Sequence, residues 1–287
     1  MNPQRRLGLY ALLNLLQDVS WSHAFALSLG RGADVANQVA WVLGRQRVVM
    51  RTWPAWGEVV EIETWLRPPG RSTIKRDSVI WINGEQVGEA TTVLLALDMK
   101  TRKTVRTAAL APHVPFHTDA RAALEAAKIE PQSGLVDLAR FDVRNSDLDM
   151  NQHVNNTRYA QWISDSIPID WHRLFALLEY EINFLAETHL GDAITIQKGM
   201  AKPVIPDAAQ AQFQGLRAAD QRVVFTARIT VGTDPDRHSS EPRSAAANST
   251  KSRLHLELAD FLSFRPVQGR GLAWRQTPAL SASIAST

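Results

Sequence analysis

The sequence predicts an α+β protein made of two copies of one unit, a helix followed by antiparallel strands. Three observations predict it. A helical stretch near the N-terminus leads into several alternating strands bounded by turns. The same order returns after residue 135. The two rounds also register on each other, 134 positions apart (57 and 191). Gly57-Glu58 laid over Gly191-Asp192 brings Val48-Val49-Met50 onto Ile182-Asn183-Phe184. It also brings Val59-Val60-Glu61-Ile62 onto Ala193-Ile194-Thr195-Ile196. Strand, turn and strand coincide without gaps. One position differs sharply: Glu187 falls on Trp53.

Each element has a local cause. Leu9, Leu12, Leu13, Leu16 and Val19 share one helical face, so 9–29 reads as a helix stopped by Gly30. Residues 39–50 are strand-like. Trp53-Pro54-Ala55-Trp56-Gly57 turns the chain into a strand over 58–65, where acidic and apolar residues alternate. Strands 76–82 and 86–98 flank Asn83-Gly84, a strong hairpin dipeptide. In the second round 139–143 is a short strand and 144–155 a polar stretch. Residues 157–166 form a helix that stops before Pro168. Strands over 174–186, 193–200 and 222–231 follow. Only about eight residues precede the first helix, too few for the strand that opens the second round. The first unit therefore lacks that strand, through a late start of the reading frame or because another segment fills the edge.

These elements divide the chain into a unit at 1–111, a linker at 112–134, a unit at 135–232 and a low-pattern tail at 233–287. The linker holds Pro112, Pro115 and Pro131 around a short helix at 119–127. The tail is rich in Ser, Ala, Pro and Arg and reads as largely disordered, with one more short element at 254–264.

Composition removes several functions. Lys plus Arg is 32 and Asp plus Glu 29, a surplus of three, which does not argue for a nucleic-acid partner. No run of 18 apolar residues exists, so no membrane span is expected. Arg5-Arg6 before Leu7–Leu13 faintly resembles a signal peptide, but Asn14, Gln17 and Asp18 interrupt it; a cytoplasmic protein is expected. The absence of cysteine excludes a disulfide framework, an iron–sulfur cluster and a thiol nucleophile.

The densest polar cluster is the stretch from Asn145 to Asn156, between a strand and a helix. Asp147, Asp149 and Asn151 open like a calcium loop, but Gln152 stands where Gly is needed and Arg158 where Glu is needed. Zinc through His153 and His189 lacks the usual spacing, and no metal or other cofactor is expected. Asn155 or Asn156 suits a helix cap. There is no G-x-S-x-G. What fits is a carboxylate, an imidazole and an amide activating water on a reactive acyl group, beside helix N–H groups able to meet an oxyanion. Thioesters suit such a site, because their carbonyl is weakly stabilised and the thiolate leaves readily.

The run Ser146-Asp147-Leu148-Asp149-Met150-Asn151-Gln152-His153-Val154-Asn155-Asn156 with Tyr159 resembles the signature of the acyl-acyl carrier protein (acyl-ACP) thioesterases. Trp41 with Arg45, Trp53-Pro54-Ala55-Trp56-Gly57-Glu58, Glu63-Thr64-Trp65, Arg76-Asp77 and Thr101-Arg102-Lys103 resemble the family's first-domain pattern. The resemblance spans roughly 9–231. It implies a double hotdog, each half a long helix wrapped by an antiparallel sheet, with acyl-chain binding in the first half and catalysis in the second. It implies Asp149, Asn151, His153 and Glu187 as the catalytic set. Plant members carry a cysteine after the acid; here it is Thr188, which leaves the water-based mechanism. In that mechanism Glu187 is the base for water, with Asp149 able to share the role. Asn151 meets the carbonyl, His153 shuttles the proton, and Asp149 orients Asn151 and His153. Trp41, Trp53 and Trp56 are candidates to line the acyl tunnel. Lys100, Arg102, Lys103 and Arg106 are ordinarily a solvated hairpin end, and also a candidate dock for the acidic carrier protein. The expected reaction releases free fatty acid from acyl-ACP. An acyl-CoA thioesterase, a non-catalytic acyl-thioester-binding hotdog and a dehydratase remain alternatives, and a homodimer is left open.

Overall fold

The computed structural model describes residues 2, 4–27, 29, 39–107, 115–118, 122, 124–205 and 207–233. The loop expected around Gly30–Asp34, the start of the linker and the tail beyond 233 lie outside the described residues. The first round is α1 (Leu9–Ala26), β1 (Val39–Met50), β2 (Val60–Leu66), β3 (Thr73–Ile82) and β4 (Glu85–Asp98). The second is β5 (Val136–Asp142), α2 (Asn156–Asp165), α3 (Ile169–Leu174), β6 (Phe175–Phe184), β7 (Ala193–Lys198), β8 (Lys202–Ile205), β9 (Ala208–Arg217) and β10 (Val223–Thr233). All strands join one antiparallel sheet in the order β2-β3-β4-β1-β6-β10-β9-β7-β5, with β8 on β9. This is the helix-and-wrapping-sheet arrangement expected, twice over.

The two rounds meet at β1 and β6. Arg47 pairs with Glu181, its own counterpart 134 positions on, which puts a two-fold axis through that pair. Neighbours then match outward: β4 with β10, β3 with β9, β2 with β7. Gly57 and Gly191 occupy equivalent left-handed turns, at φ 89° and 90°, where a side chain would be strained. β5 has no matching strand, and β2 ends the sheet among the described residues.

Asn83 and Gly84 adopt positive φ (52° and 79°), the primed turn their dipeptide predicts. Leu9, Leu12, Leu13 and Leu16 bury one face of α1 in the core that also holds Ile80, Tyr180 and Ile182, with α1 packed on α2 and β2. Tyr159, Ala160, Trp162 and Ile163 of α2 share that core with Ile194, Phe213 and Phe225. Three elements escape the sequence reading. β9 alternates alanine inward with glutamine outward, too weak an apolar contrast to register; α3 and β8 are shorter than the window such patterns need.

The linker departs from expectation. Residues 124–130 are not helical. They run across the outer face of the sheet, held by side chains that a sequence reading leaves to solvent. Ala127 N–H donates to Glu181 Oε1 (3.1 Å) and Ile129 N–H to Asn183 Oδ1 (3.0 Å). Asn183 Nδ2 returns a bond to Ala127 O (2.9 Å), and Thr226 Oγ1 donates to Ile129 O (2.8 Å). Gln214 accepts from Gln132 N–H (3.1 Å) and donates to Gln132 O (3.0 Å). A helix would have spent those backbone groups on itself. At the other end Ala122 N–H meets Asp77 Oδ2 (3.1 Å), a carboxylate already paired with Arg67 (2.7 Å). Asn183→Leu keeps the γ-branched shape but strands two buried backbone partners. It should destabilise by about 2–5 kcal/mol and lower a single melting transition of the whole chain by roughly 5–15 °C. A melt within a degree of wild type would remove this role.

Candidate active site

The polar stretch folds into a tight, self-bonded loop. Asp149 N–H donates to His153 O (2.8 Å) and Gln152 N–H to Asp149 O (3.0 Å). Gln152 sits at φ 63°, so the loop reverses within four residues. Asp149 Oδ1 accepts from the N–H groups of Asn151 (2.8 Å) and His153 (3.2 Å). This carboxylate therefore fixes the backbone of both expected partners. Asn155 Oδ1 accepts from Thr157 N–H (3.0 Å), and Asn155 O from Arg158 N–H (2.9 Å). The capping reading of Asn155 is correct, and it occupies two of the helix N–H groups expected to meet an oxyanion.

The loop is stitched to the segment after β6. Val154 N–H donates to Thr188 O (2.9 Å), and His153 bridges His189. This brings Glu187 to the imidazole: Oε2 lies 3.8 Å from His153 Nε2. Arg217 Nη1 anchors the strand end through Glu187 O (3.0 Å) while pairing with Asp192 and Asp220. Thr188, at the position of the plant cysteine, is fully buried, so its side chain lies away from the surface that presents Glu187 and His189. The His153 and His189 rings meet edge-on, 4.9 Å between centroids. Burial first, then His189, holds the His153 pKa below its ordinary value, and Arg102 adds to this; the Asp149 charge opposes it. That direction favours the neutral imidazole, whose lone pair can take a proton.

His153, Glu187 and His189 place donor atoms within 4.8 Å of one another. The Arg102 guanidinium is bonded to Glu187 Oε1, so a cation would have to displace a charge already there.

Asp149, Asn151, His153 and Glu187 thus come together, with Asn151 exposed at the loop tip. The tryptophans do not. Trp53 is buried, donates to Leu177 O (2.8 Å) and lines a cavity of about 350 Å³ with Leu7, Trp171, Phe175 and Ile229. Trp56 is 80% exposed on its turn, and Trp41 lies on β1 opposite Ala96; neither borders that cavity. Lys100, Lys103 and Arg106 are exposed as expected, but Arg102 is turned to Glu187. Besides its pairing with His153 in the zinc reading, the signal that places His189 beside the acid is its position two residues after Glu187, the same side of an extended chain.

The first half repeats this loop without its chemistry. Asn2 Oδ1 accepts from the N–H groups of Gln4 (3.0 Å) and Arg6 (2.9 Å), as Asp149 does from Asn151 and His153. Asn2 N–H donates to Arg6 O (2.8 Å), Arg5 sits at φ 60°, Leu7 N–H donates to Pro54 O (2.8 Å), and Arg6 bridges Ala55. Asn2, Gln4, Arg6 and Trp53 therefore stand where the second half carries Asp149, Asn151, His153 and Glu187.

Comparison with known proteins gives two family models, the N-terminal domain of acyl-ACP thioesterases over residues 1–109 and the C-terminal domain over 134–226. The oleoyl-ACP thioesterase 1 of Arabidopsis thaliana chloroplasts is 31% identical over 185 residues, 57% of this chain and 51% of that protein. The oleoyl-ACP thioesterase of Coriandrum sativum is 32% identical over 178 residues, 55% of this chain and 48% of that one. The chain spans about half the length of these curated relatives. Among solved structures, an acyl-ACP thioesterase from Bacteroides thetaiotaomicron superposes with a TM-score of 0.70 at 21% identity, covering 80% of this chain and 92% of that one. The 12:0-ACP thioesterase of Umbellularia californica gives 0.71 at 19% identity, covering 82% and 90%. At these identities the structures establish the shared hotdog fold. No helix among the described residues is long and apolar enough to cross a membrane.

Proposed function

The chain belongs to the acyl-ACP thioesterase family, and from that premise we propose that it hydrolyses acyl-ACP to a free fatty acid and the carrier protein. The observation that carries the reading is the approach of the Glu187 carboxylate to the His153 imidazole on a loop pinned by Asp149. In the proposed reaction Glu187 Oε2 takes a proton from water as its oxygen attacks the thioester carbon. The 3.8 Å between carboxylate and imidazole is too long for a direct hydrogen bond. A water placed to one side reaches both at ordinary distances. The Asn151 amide, exposed at the loop tip, donates to the carbonyl oxygen. The C–S bond then breaks, and the abstracted proton passes through His153 to the departing sulfur. The exposed Lys100, Lys103 and Arg106 support docking of an acidic carrier at the end of β4.

In this reading 1–111 and 135–232 are the two hotdog halves, 112–134 is the strap between them, and 233–287 belongs to neither. The test is a product profile with acyl-ACPs of graded chain length and the matching acyl-CoAs. Release of free fatty acid and carrier thiol, faster from ACP than from CoA, is expected. Faster turnover of CoA substrates would shift the assignment to an acyl-CoA thioesterase. An enoyl product would make it a dehydratase, and binding without turnover would make it a non-catalytic hotdog.

A further inference from the structure

We infer that Arg102, carried by the first half, is the positioning residue of the Glu187 carboxylate, so that the reacting group is held in place across the junction between the two halves. The inference rests on the thioesterase reading and deepens it.

The two Glu187 oxygens have different neighbours. Oε1 is bonded to Arg102 Nη2, and Oε2 faces His153. Arg217 reaches only the backbone carbonyl of Glu187. His189 packs against the imidazole, and Asp149 acts on the His153 backbone. Arg102 is therefore the cation on the carboxylate itself. Side chains 36% and 51% exposed would ordinarily gain little from pairing. The value of this pair lies in geometry: with Oε1 tied, a free carboxylate rotor becomes one oriented oxygen, aimed at the imidazole and the water between them.

The presenting turn is built for one orientation. Asp98 Oδ1 accepts from Lys100 N–H (3.1 Å), Thr101 N–H (2.6 Å) and Thr101 Oγ1 (2.8 Å). Arg102 N–H donates to Asp98 O (2.8 Å), and Asp98 N–H to Lys103 O (2.9 Å). Arg102 itself sits at φ 58°, a conformation unfavourable for a long side chain and kept only where the surroundings impose it. Among the described residues Glu187 is the one partner of the guanidinium. The exposed Lys100 and Lys103 beside it make no contact with Glu187. A docking patch would not need one of its cations turned inward onto the base.

The test compares wild type with Arg102→Gln, Arg102→Lys and Arg102→Ala on two substrates of one chain length, acyl-ACP and a carrier-free N-acetylcysteamine thioester. A positioning residue predicts that Arg102→Gln lowers kcat by about 10- to 100-fold on both, with KM changed less than about twofold. The acid limb of kcat should move to higher pH, because the carboxylate loses its adjacent cation. Arg102→Lys should recover part of the rate, and added guanidinium ion should partly rescue Arg102→Ala. Unchanged kcat, or a defect confined to KM for acyl-ACP and abolished by salt, would overturn the inference and return Arg102 to the docking patch. If wild type turns over no thioester, the functional reading fails separately. The His153 ring titration, followed by NMR, then decides the contact. Arg102→Gln should raise the imidazole pKa, since Arg102 lowers it; an unmoved titration overturns the placement.

Discussion

Glu187→Gln is expected to lower kcat by about a thousandfold and to leave the melting temperature within a few degrees of wild type. The amide keeps the shape of the side chain and an oxygen for Arg102, but it cannot accept a proton from water. A positioned acid–base group contributes roughly 10²–10⁴-fold. With no cysteine in the chain and Thr188 buried, no second nucleophile waits behind it. Folding is hardly touched, because the Glu187 side chain is about one-third exposed and the strand end is held through its backbone. Single-turnover hydrolysis of acyl-ACP measures the effect. A rate within tenfold of wild type would move the base elsewhere, with Asp149 the next candidate.

Asp149 is separable into two roles by a pair of substitutions. Asn2 makes the same two backbone bonds with an amide oxygen (3.0 and 2.9 Å), so Asp149→Asn should leave the loop and the melt intact. Only the charge is lost. That charge raises His153 against the burial and the neighbours that lower it. The imidazole pKa should fall further and kcat drop by about tenfold, the order of a single charge–charge interaction near a protein surface. Asp149→Ala removes the bonds as well. The loop at φ 63° then keeps only its backbone–backbone bonds, and kcat should fall by about a hundredfold with a lower melt. If the asparagine variant were as inactive as the alanine one, Asp149 would share the base role and not only orient.

The strands of the first half were legible because their chemistry alternates. The hairpin at Asn83-Gly84 was legible because only a few residues tolerate φ above zero twice in succession. The alanine–glutamine alternation of β9 gave too little contrast. The tandem relation was legible in the strands, which repeat at one spacing, but not in the site loops. Those recur 147 positions apart (2 and 149), against 134 for the strands (57 and 191). The connection from helix to strand differs between the halves, so a single spacing finds the sheet and misses the loop. The candidates Asp149, Asn151, His153 and Glu187 carried their proposed chemistry in their residue types. Arg102 did not: an arginine in a basic run reads the same whether it meets solvent or a carboxylate 85 residues away. Trp56 looked like a tunnel wall for the same reason, since a tryptophan's type does not say which side of a turn it takes.

The strap across the outer face has a consequence for how the molecule comes into being. Its backbone partners lie 45 to 97 residues away, on β3, β6, β9 and β10, and so belong to both copies of the repeat. Residues 127–132 bond to β6, β9 and β10 of the second copy, while His117 N–H and Ala122 N–H meet Leu66 O and Asp77 Oδ2 of the first. Each end of the strap can therefore settle on its own copy as that copy forms, and the strap then ties the two across the seam of the duplication.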